Sequence, residues 1–371
     1  MPDELRFAAL VLSDLHFGVD LLREAEIPPL QFPWWKYMPL VPDIRRYMET
    51  RCKAHDIAIV MQLPLYVKRL LRRLQREEDF KKQKFDFYLF LGDLSTYANG
   101  ASFRFLRDYI LNKTYAASGL TKISGLNIPE DKIVLIPGNH DKMLRKNLDL
   151  FARELAIPLG FAPAPKPGQS SFLSRRVDNT EFLFILVDAS IYATTEEKID
   201  LSALNHLAKG NICKHLEEEI LEKLNTVKRG GQVDHAAIED YSTSRRFLLV
   251  HYAVDDGAVL GPSTHMEEFV LPHSCAGLPN LITRLKADVH LVIHGHLHRP
   301  RVYNHDGVKV ISATTATQKQ GQNGFFLLKF YASGDVVTEH HKWAGNSFAA
   351  DPTPDLNVRF SLPLKTRVVG A

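Results

Sequence analysis

The chain has 371 residues, 45% of them hydrophobic and 24% charged, with a formal net charge of +3. That length suits one large domain or two smaller ones, the composition is that of an ordinary globular protein, and the charge is too mild to mark a nucleic-acid partner. Cys52, Cys213 and Cys275 are scattered and odd in number, which excludes a disulfide framework and suits a reducing compartment.

The opening Met1-Pro2-Asp3-Glu4-Leu5-Arg6 leads straight into an apolar run, without a charged-then-apolar leader. No stretch approaches the roughly 18 apolar residues that span a bilayer, so a soluble, cytoplasmic protein is expected. Phe7–Leu12 is continuously apolar, as in a strand covered on both faces. It ends in Ser13-Asp14-Leu15-His16, where Asp14, taken alone, reads more readily as a turn or helix cap than as a ligand.

The proline density between Pro28 and Pro39 excludes regular structure there. With Trp34 and Trp35, this loop is a candidate lid, partner surface or membrane-interface anchor, set against the plainer reading of aromatics packed on their own core. Leu65–Arg76 carries helical periodicity, with Leu65, Leu70, Leu71 and Leu74 opposite Lys68, Arg69, Arg72, Arg73 and Arg76. Its basic side reads first as a solvated face.

Phe85–Leu91 is a second apolar strand, ending in Gly92-Asp93, and Ile133–Ile136 a third, ending in Pro137-Gly138-Asn139-His140-Asp141. Glycine before each polar residue lets the backbone turn sharply and approach a ligand. Arg145 and Lys146 follow, read as exposed helix charges before phosphate contacts. Phe182–Val187 gives a fourth strand and Phe247–Val250 a fifth, which runs into His251. Between them a helix is predicted over Ala203–Arg229, apolar at Leu207, Ile212, Leu216, Ile220, Leu221 and Leu224 and stopped by Gly230-Gly231.

The run Val289 to Ile293 then meets His294-Gly295-His296-Leu297-His298. In extended chain residues two apart share a side, which would put these three histidines on one face. Hairpins follow at Val302-Tyr303 to Val308–Ile311 and at Phe325–Tyr331 to Val336–Lys342, and the tail from Ala344 is expected to wrap the surface. Strands alternating with helices, then late hairpins, predict an α/β protein with mixed sheets.

Five apolar strands thus end in Asp-x-His, Gly-Asp, Gly-Asn-His-Asp, His and Gly-His-Leu-His. If they share the sheets of one domain, these ends meet at one edge, where open α/β sheets place their sites. The combination resembles the calcineurin-like metallophosphoesterases in the order and type of all five blocks. The resemblance implies a four-layer α-β-β-α sandwich with mixed sheets. It implies a domain over residues 1–345, with insertions at about 20–60 and 192–243 as a cap, and a C-terminal extension over 346–371.

It further implies two divalent ions, one held by Asp14, His16 and His298, the other by Asn139, His251 and His296, with Asp93 bridging. Mixed imidazole, carboxylate and carbonyl donors suit Mn²⁺, Fe or Zn²⁺ better than Mg²⁺ or Ca²⁺, and Mn²⁺ is favoured. Neutral histidine and asparagine ligands leave such a centre positive toward phosphate. The implied reaction is attack of a metal-bridging hydroxide on a phosphodiester or phosphomonoester of a small molecule or nucleotide, the diester favoured.

His140 falls on the leaving-group side, as general acid or transition-state stabiliser, with Asp141 either orienting it or capping a helix. His294 is a candidate supporting residue. Where the family's protein phosphatases carry a further Asp and Arg, this chain has Leu94-Ser95-Thr96-Tyr97-Ala98-Asn99. Where many bacterial phosphodiesterases have His-His-Pro, it has His251-Tyr252. A nuclease would want a basic track with interleaved aromatics, which Lys68–Lys84 lacks. A non-catalytic interaction protein would typically have lost ligands, and every block here is filled. The expected partner is a small phosphorylated substrate; the oligomeric state is left open.

Overall fold

The computed structural model describes residues 3–17, 57–95, 100–112, 124–142, 148–161, 165, 167–190, 210–254, 275–317 and 323–362. The loop Pro28–Pro39, Arg145, Lys146, most of segment 20–60 and the first part of segment 192–243 lie outside the described residues. In chain order the main elements are β1 (Leu5–Leu12), α1 (Ile57–Glu77), β2 (Phe87–Leu91), α2 (Gly100–Leu111), β3 (Ile133–Ile136), β4 (Gln169–Val177) and β5 (Thr180–Asp188). There follow α3 (Lys214–Lys228), β6 (Arg245–Val250), α4 (Leu278–Leu285), β7 (Leu291–His294), β8 (Arg301–His305), β9 (Val308–Ser312), β10 (Gly324–Tyr331), β11 (Asp335–Trp343), β12 (Phe348–Ala350) and β13 (Arg359–Ser361). No described helix is long and apolar enough to cross a membrane.

The strands form a seven-stranded sheet, ordered β12-β11-β10-β1-β2-β3 with β13 also on β11, and a six-stranded sheet ordered β4-β5-β6-β7-β9-β8. Parallel pairing joins β1, β2 and β3 in the first and β5, β6, β7 and β9 in the second, while the remaining pairs are antiparallel. Strand alternation explains why the sheets stack. Along β5, Phe182, Phe184 and Leu186 enter the larger core with Phe7, Phe87, Phe247 and Phe330, while Leu183, Ile185 and Val187 enter the other. That second core is closed by α3 (Leu216, Ile220, Leu224, Val227) and α4 (Leu278, Leu281, Ile282, Leu285). On the far side α1 and α2 contribute Leu63, Leu70, Leu74, Phe103 and Leu106 to the larger core. The result is a four-layer α-β-β-α sandwich, with both sheets mixed.

Two boundaries differ from those the periodicity predicts, each for a local reason. Helix α1 begins before Pro64 and runs through it. Proline cannot donate to the carbonyl four residues back, and here the Tyr109 hydroxyl on α2 donates to Val60 O instead, at 2.7 Å. Helix α3 starts only at Lys214, because Gly210 and Asn211 are drawn into bridges with Ser190 and Ala276. The C-terminal stretch does more than lie on the surface: β12 and β13 pair with β11 and lengthen the first sheet.

One buried group there sets a pH response. His340 is fully buried with Nδ1 3.0 Å from the Asp351 carboxylate. Burial pushes its pKa down to about 4, with His341 and Lys342 adding to the effect and Asp351 opposing it. Asp351 is held at about 2, since bonds from Thr353, His340 and Lys342 outweigh its burial. Between about pH 6.5 and 4 the unfolded imidazole carries a proton that the folded one refuses, so stability falls on acidification through that window. The full loss from His340 is on the order of 3 kcal/mol. Thermal melts from about pH 7.5 to 4.5 are expected to show it, with a shallower fall in His340→Gln. Equal slopes in the two proteins would rule out this assignment.

Candidate metal centre

The carboxyl ends of β1, β2 and β3 deliver Asp14, His16, Asp93 and Asn139 to the shared edge of the sheets, and those of β6 and β7 deliver His251, His296 and His298. The turns that do so are unusual. Asp14, His16, Asp93, His296 and His298 have φ of 50°, 45°, 50°, 74° and 55°. Left-handed backbone is commonest in glycine, asparagine and aspartate, with histidine enriched as well. Among the described residues, the positive-φ positions occupied by none of these three are His16, His296 and His298.

That geometry overturns the expectation that His296 and His298 share a side. β7 ends at His294, and beyond it the chain is no longer extended, so the alternation rule fails. His296 turns its Nδ1 to within 3.2 Å of His251 Nε2, whereas His298 places Nε2 3.0 Å from Asp14 Oδ1 and 3.3 Å from His16 Nε2. His294 goes its own way, with Nε2 3.2 Å from the Tyr303 hydroxyl, and burial pushes its pKa down to about 4.

The side chains gather into three overlapping groups: Asp14–His16–His298, Asp93–His251–His296 and His16–Asp93–His140. Asn139 joins the second through Oδ1, 3.1 Å from His251 Nε2. Donors about 2.1 Å from one cation and 90–109° apart there lie roughly 3.0–3.4 Å from each other. The pairs His16–His298 at 3.3 Å, Asp14–His298 at 3.0 Å, His251–His296 at 3.2 Å and His251–Asp93 at 3.3 Å fall in that range. The donor set therefore fits a pair of divalent ions.

Its charge points the same way. Burial alone would raise Asp93, yet His251, His140 and His16 hold it well below the ordinary carboxylate range, and against the same burial His298 and His251 lower Asp14. Burial opposes a proton on His251, but Asp93 and Asp14 hold one there to about 9. Two buried carboxylates thus draw positive charge into the cluster.

Asp141 shows a different employment. Its carboxylate accepts N–H bonds from Leu94, Ser95 and Gly138 at 3.1, 2.8 and 3.0 Å, pinning the β2 and β3 turns together. Burial and the neighbouring Asp93 raise it to about 7. His140 donates its backbone N–H to Asp93 Oδ1 at 2.8 Å and packs its ring edge against His16, 4.8 Å between centroids.

Several supports carry no signal in the sequence pattern. Lys142, buried, pairs with Asp188 at the end of β5 and donates to Pro165 O at 3.0 Å, so the β3 turn is tied to the second sheet. Ser13 donates to the Asp14 carboxylate, as does the His296 N–H at 3.1 Å. Thr314, Thr315 and Thr317 bond the backbone of the ligand-bearing turns.

Close approach also dictates glycine. A Cβ on Gly138 would lie 2.2 Å from Asp93 Oδ1 and 2.3 Å from its amide nitrogen, and one on Gly295 2.0 Å from Ser13 Oγ. Gly138→Ala, which removes no donor atom, is expected to displace Asp93 and lower activity about a hundredfold. Steady-state rates at saturating metal check this, and a wild-type rate would show that the turn can yield.

A family model described as calcineurin-like phosphoesterase matches residues 8–300 of the chain. No curated protein matches it. Among solved structures it is similar to GAP50, the anchor in the inner membrane complex of Plasmodium, at 9% identity and a TM-score of 0.45, covering 98% of this chain and 91% of that one. It is similar to the phosphopantetheinyl hydrolase of Mycobacterium tuberculosis at 14% identity and 0.38, covering 84% and 90%. Vacuolar Protein Sorting 29 from Cryptosporidium parvum aligns at 11% identity and 0.35, covering 96% and 100%.

Proposed function

The chain belongs to the calcineurin-like phosphoesterase family, and on that premise we propose that it is a phosphohydrolase dependent on two divalent ions. Its proposed substrate is a small phosphodiester, or a nucleotide, in preference to a phosphomonoester. The observation that carries this reading is the 3.0–3.3 Å spacing of imidazole and carboxylate donors in two adjoining groups at one sheet edge.

In this reading Asp14, His16 and His298 hold one ion and Asn139, His251 and His296 the other. Asp93 serves both, since its Oδ2 is 3.8 Å from His16 Nε2 and 3.3 Å from His251 Nε2. The mixed nitrogen and oxygen donors suit manganese, iron or zinc better than magnesium or calcium, and of these we take manganese as the ion to test first. Bound there, such ions supply Lewis acidity toward a phosphoryl oxygen and acidify the attacking water.

His140 does the work on the leaving side. Its side chain is 13% exposed against 2% for Asp93, so it is open to a bound substrate, to whose departing oxygen it gives a proton. The β3 turn sets that position: the backbone N–H of His140 is fixed on Asp93, and Asp141 fixes the turn on the backbone of Leu94 and Ser95. Asp141 is thus a positioning residue with its oxygens committed to N–H groups. The diester preference rests on the overall pattern of the five blocks, which is nearer the family's bacterial phosphodiesterase-like branch than its protein phosphatases, whose further Asp and Arg are absent from Leu94 to Asn99.

Hydrolysis of bis-p-nitrophenyl phosphate against p-nitrophenyl phosphate, with Mn²⁺ added, tests the reading. Turnover of the diester in excess of the monoester is expected. Faster turnover of the monoester would reverse the substrate preference. Activity on neither, with no metal in elemental analysis, would instead make the chain a non-catalytic interaction protein.

A further inference from the structure

We propose that Thr314, Thr315 and Thr317 are positioning residues for one half of the metal centre, the Asp14–His16–His298 half. The inference rests on the two-ion reading above and divides the centre into separately braced parts.

The three hydroxyls share one kind of partner. Thr315 Oγ1 donates to the carbonyl of Asp14 at 2.7 Å, Thr317 Oγ1 to that of Leu15 at 2.7 Å, and Thr314 Oγ1 to that of His298 at 2.8 Å. The carbonyls belong to the turns that hold Asp14, His16 and His298 in left-handed backbone, and the three threonines are buried. A turn in that region persists only where its surroundings over-determine it. Here these hydroxyls are part of those surroundings, beside the N–H bonds that Asp14 and His16 give to Gly92 O and Asp93 O at 3.0 and 2.9 Å.

The segment that presents them is itself fixed. Ala313 N–H donates to His294 O at 2.7 Å, Gly324 N–H to Thr315 O at 2.8 Å, and Thr315 forms a bridge with Ser13. It therefore stands between the β1 end of the first sheet and the β7 end of the second, with two hydroxyls for the former and one for the latter. β-Branching restricts each threonine χ1, which keeps the hydroxyl aimed. The other half of the centre is braced differently, by the Asp141 carboxylate on the β2 and β3 turns and by Leu91 O, 2.7 Å from His251 Nδ1. Loss of the threonine hydroxyls should then loosen one ion and leave its neighbour in place.

Titration of the metal-free protein with Mn²⁺, followed by calorimetry and elemental analysis, tests this. The wild type is expected to take up two ions. Thr315→Val/Thr317→Val should weaken one site about ten- to a hundredfold, the range for groups that orient metal ligands, with the other unchanged. Thr315→Ser/Thr317→Ser, which keeps the hydroxyls, should restore most of the lost affinity. Thr338→Val removes an equally buried hydroxyl–carbonyl bond on β11, 2.8 Å to Leu356 O, and should leave both sites intact. If the double valine variant does not fold, Thr314→Val makes the same comparison at His298. Two sites of wild-type affinity in the valine variant would overturn the proposal, as would equal weakening of both. A wild type that binds no Mn²⁺ would instead sink the two-ion reading itself.

Discussion

Asp93→Ala is expected to empty the centre and abolish turnover. Asp93 Oδ2 lies 3.3 Å from His251 Nε2, 3.8 Å from His16 Nε2 and 4.0 Å from His140 Nε2, while Oδ1 accepts the His140 N–H. No other described carboxylate touches both donor groups and the β3 turn. Its removal takes a ligand from both ions and leaves imidazoles facing one another with Asp14 as the remaining anion among the proposed ligands, so the affinity for both dications collapses. Metal content should fall from two ions per chain to below one, and hydrolysis by at least about a thousandfold. Elemental analysis after gel filtration, with rates on bis-p-nitrophenyl phosphate, decides it. Full retention of both ions would exclude a bridging role.

His140→Ala should separate chemistry from metal binding. The backbone N–H that His140 gives to Asp93 survives the change, so both ions stay. What is lost is a proton donor, expected to slow the reaction roughly 10²–10⁴-fold. The loss should depend on the leaving group. An aryl ester that departs as p-nitrophenolate needs little protonation and should suffer less than an alkyl ester. Equal losses on both esters would assign His140 to electrostatic stabilisation, and an unchanged rate would remove it from the mechanism.

The strands that carry the centre were readable because each is a short apolar run ending abruptly in polar residues. β3 begins and ends where the sequence puts it, at Ile133 and Ile136. β4 was not readable. Gln169-Ser170-Ser171 and Arg175-Arg176 give an edge strand little apolar alternation, and it exists through pairing with β5. Helix α2 did leave a trace, Phe103, Leu106 and Ile110 at helical spacing, beneath a glycine start and scattered charges.

Within the centre, residue types were legible and directions were not. The His296–His298 parity failed because left-handed turns replace extended chain, and nothing in Gly-His-Leu-His announces φ values of 74° and 55°. Thr314 to Thr317 escaped for a related reason. A hydroxyl that holds a backbone carbonyl leaves no mark in side-chain chemistry, and a β-branched run after a strand reads first as more strand.

The donors of the centre come from both sheets: Asp14, His16, Asp93 and Asn139 from one, His251, His296 and His298 from the other. Ions seated among them would rivet layers whose sequences lie far apart along the chain. A cation that binds only the closed form adds stability by mass action. Metal supply in the cell would then set how long this seam stays shut, and so how much of the protein escapes degradation.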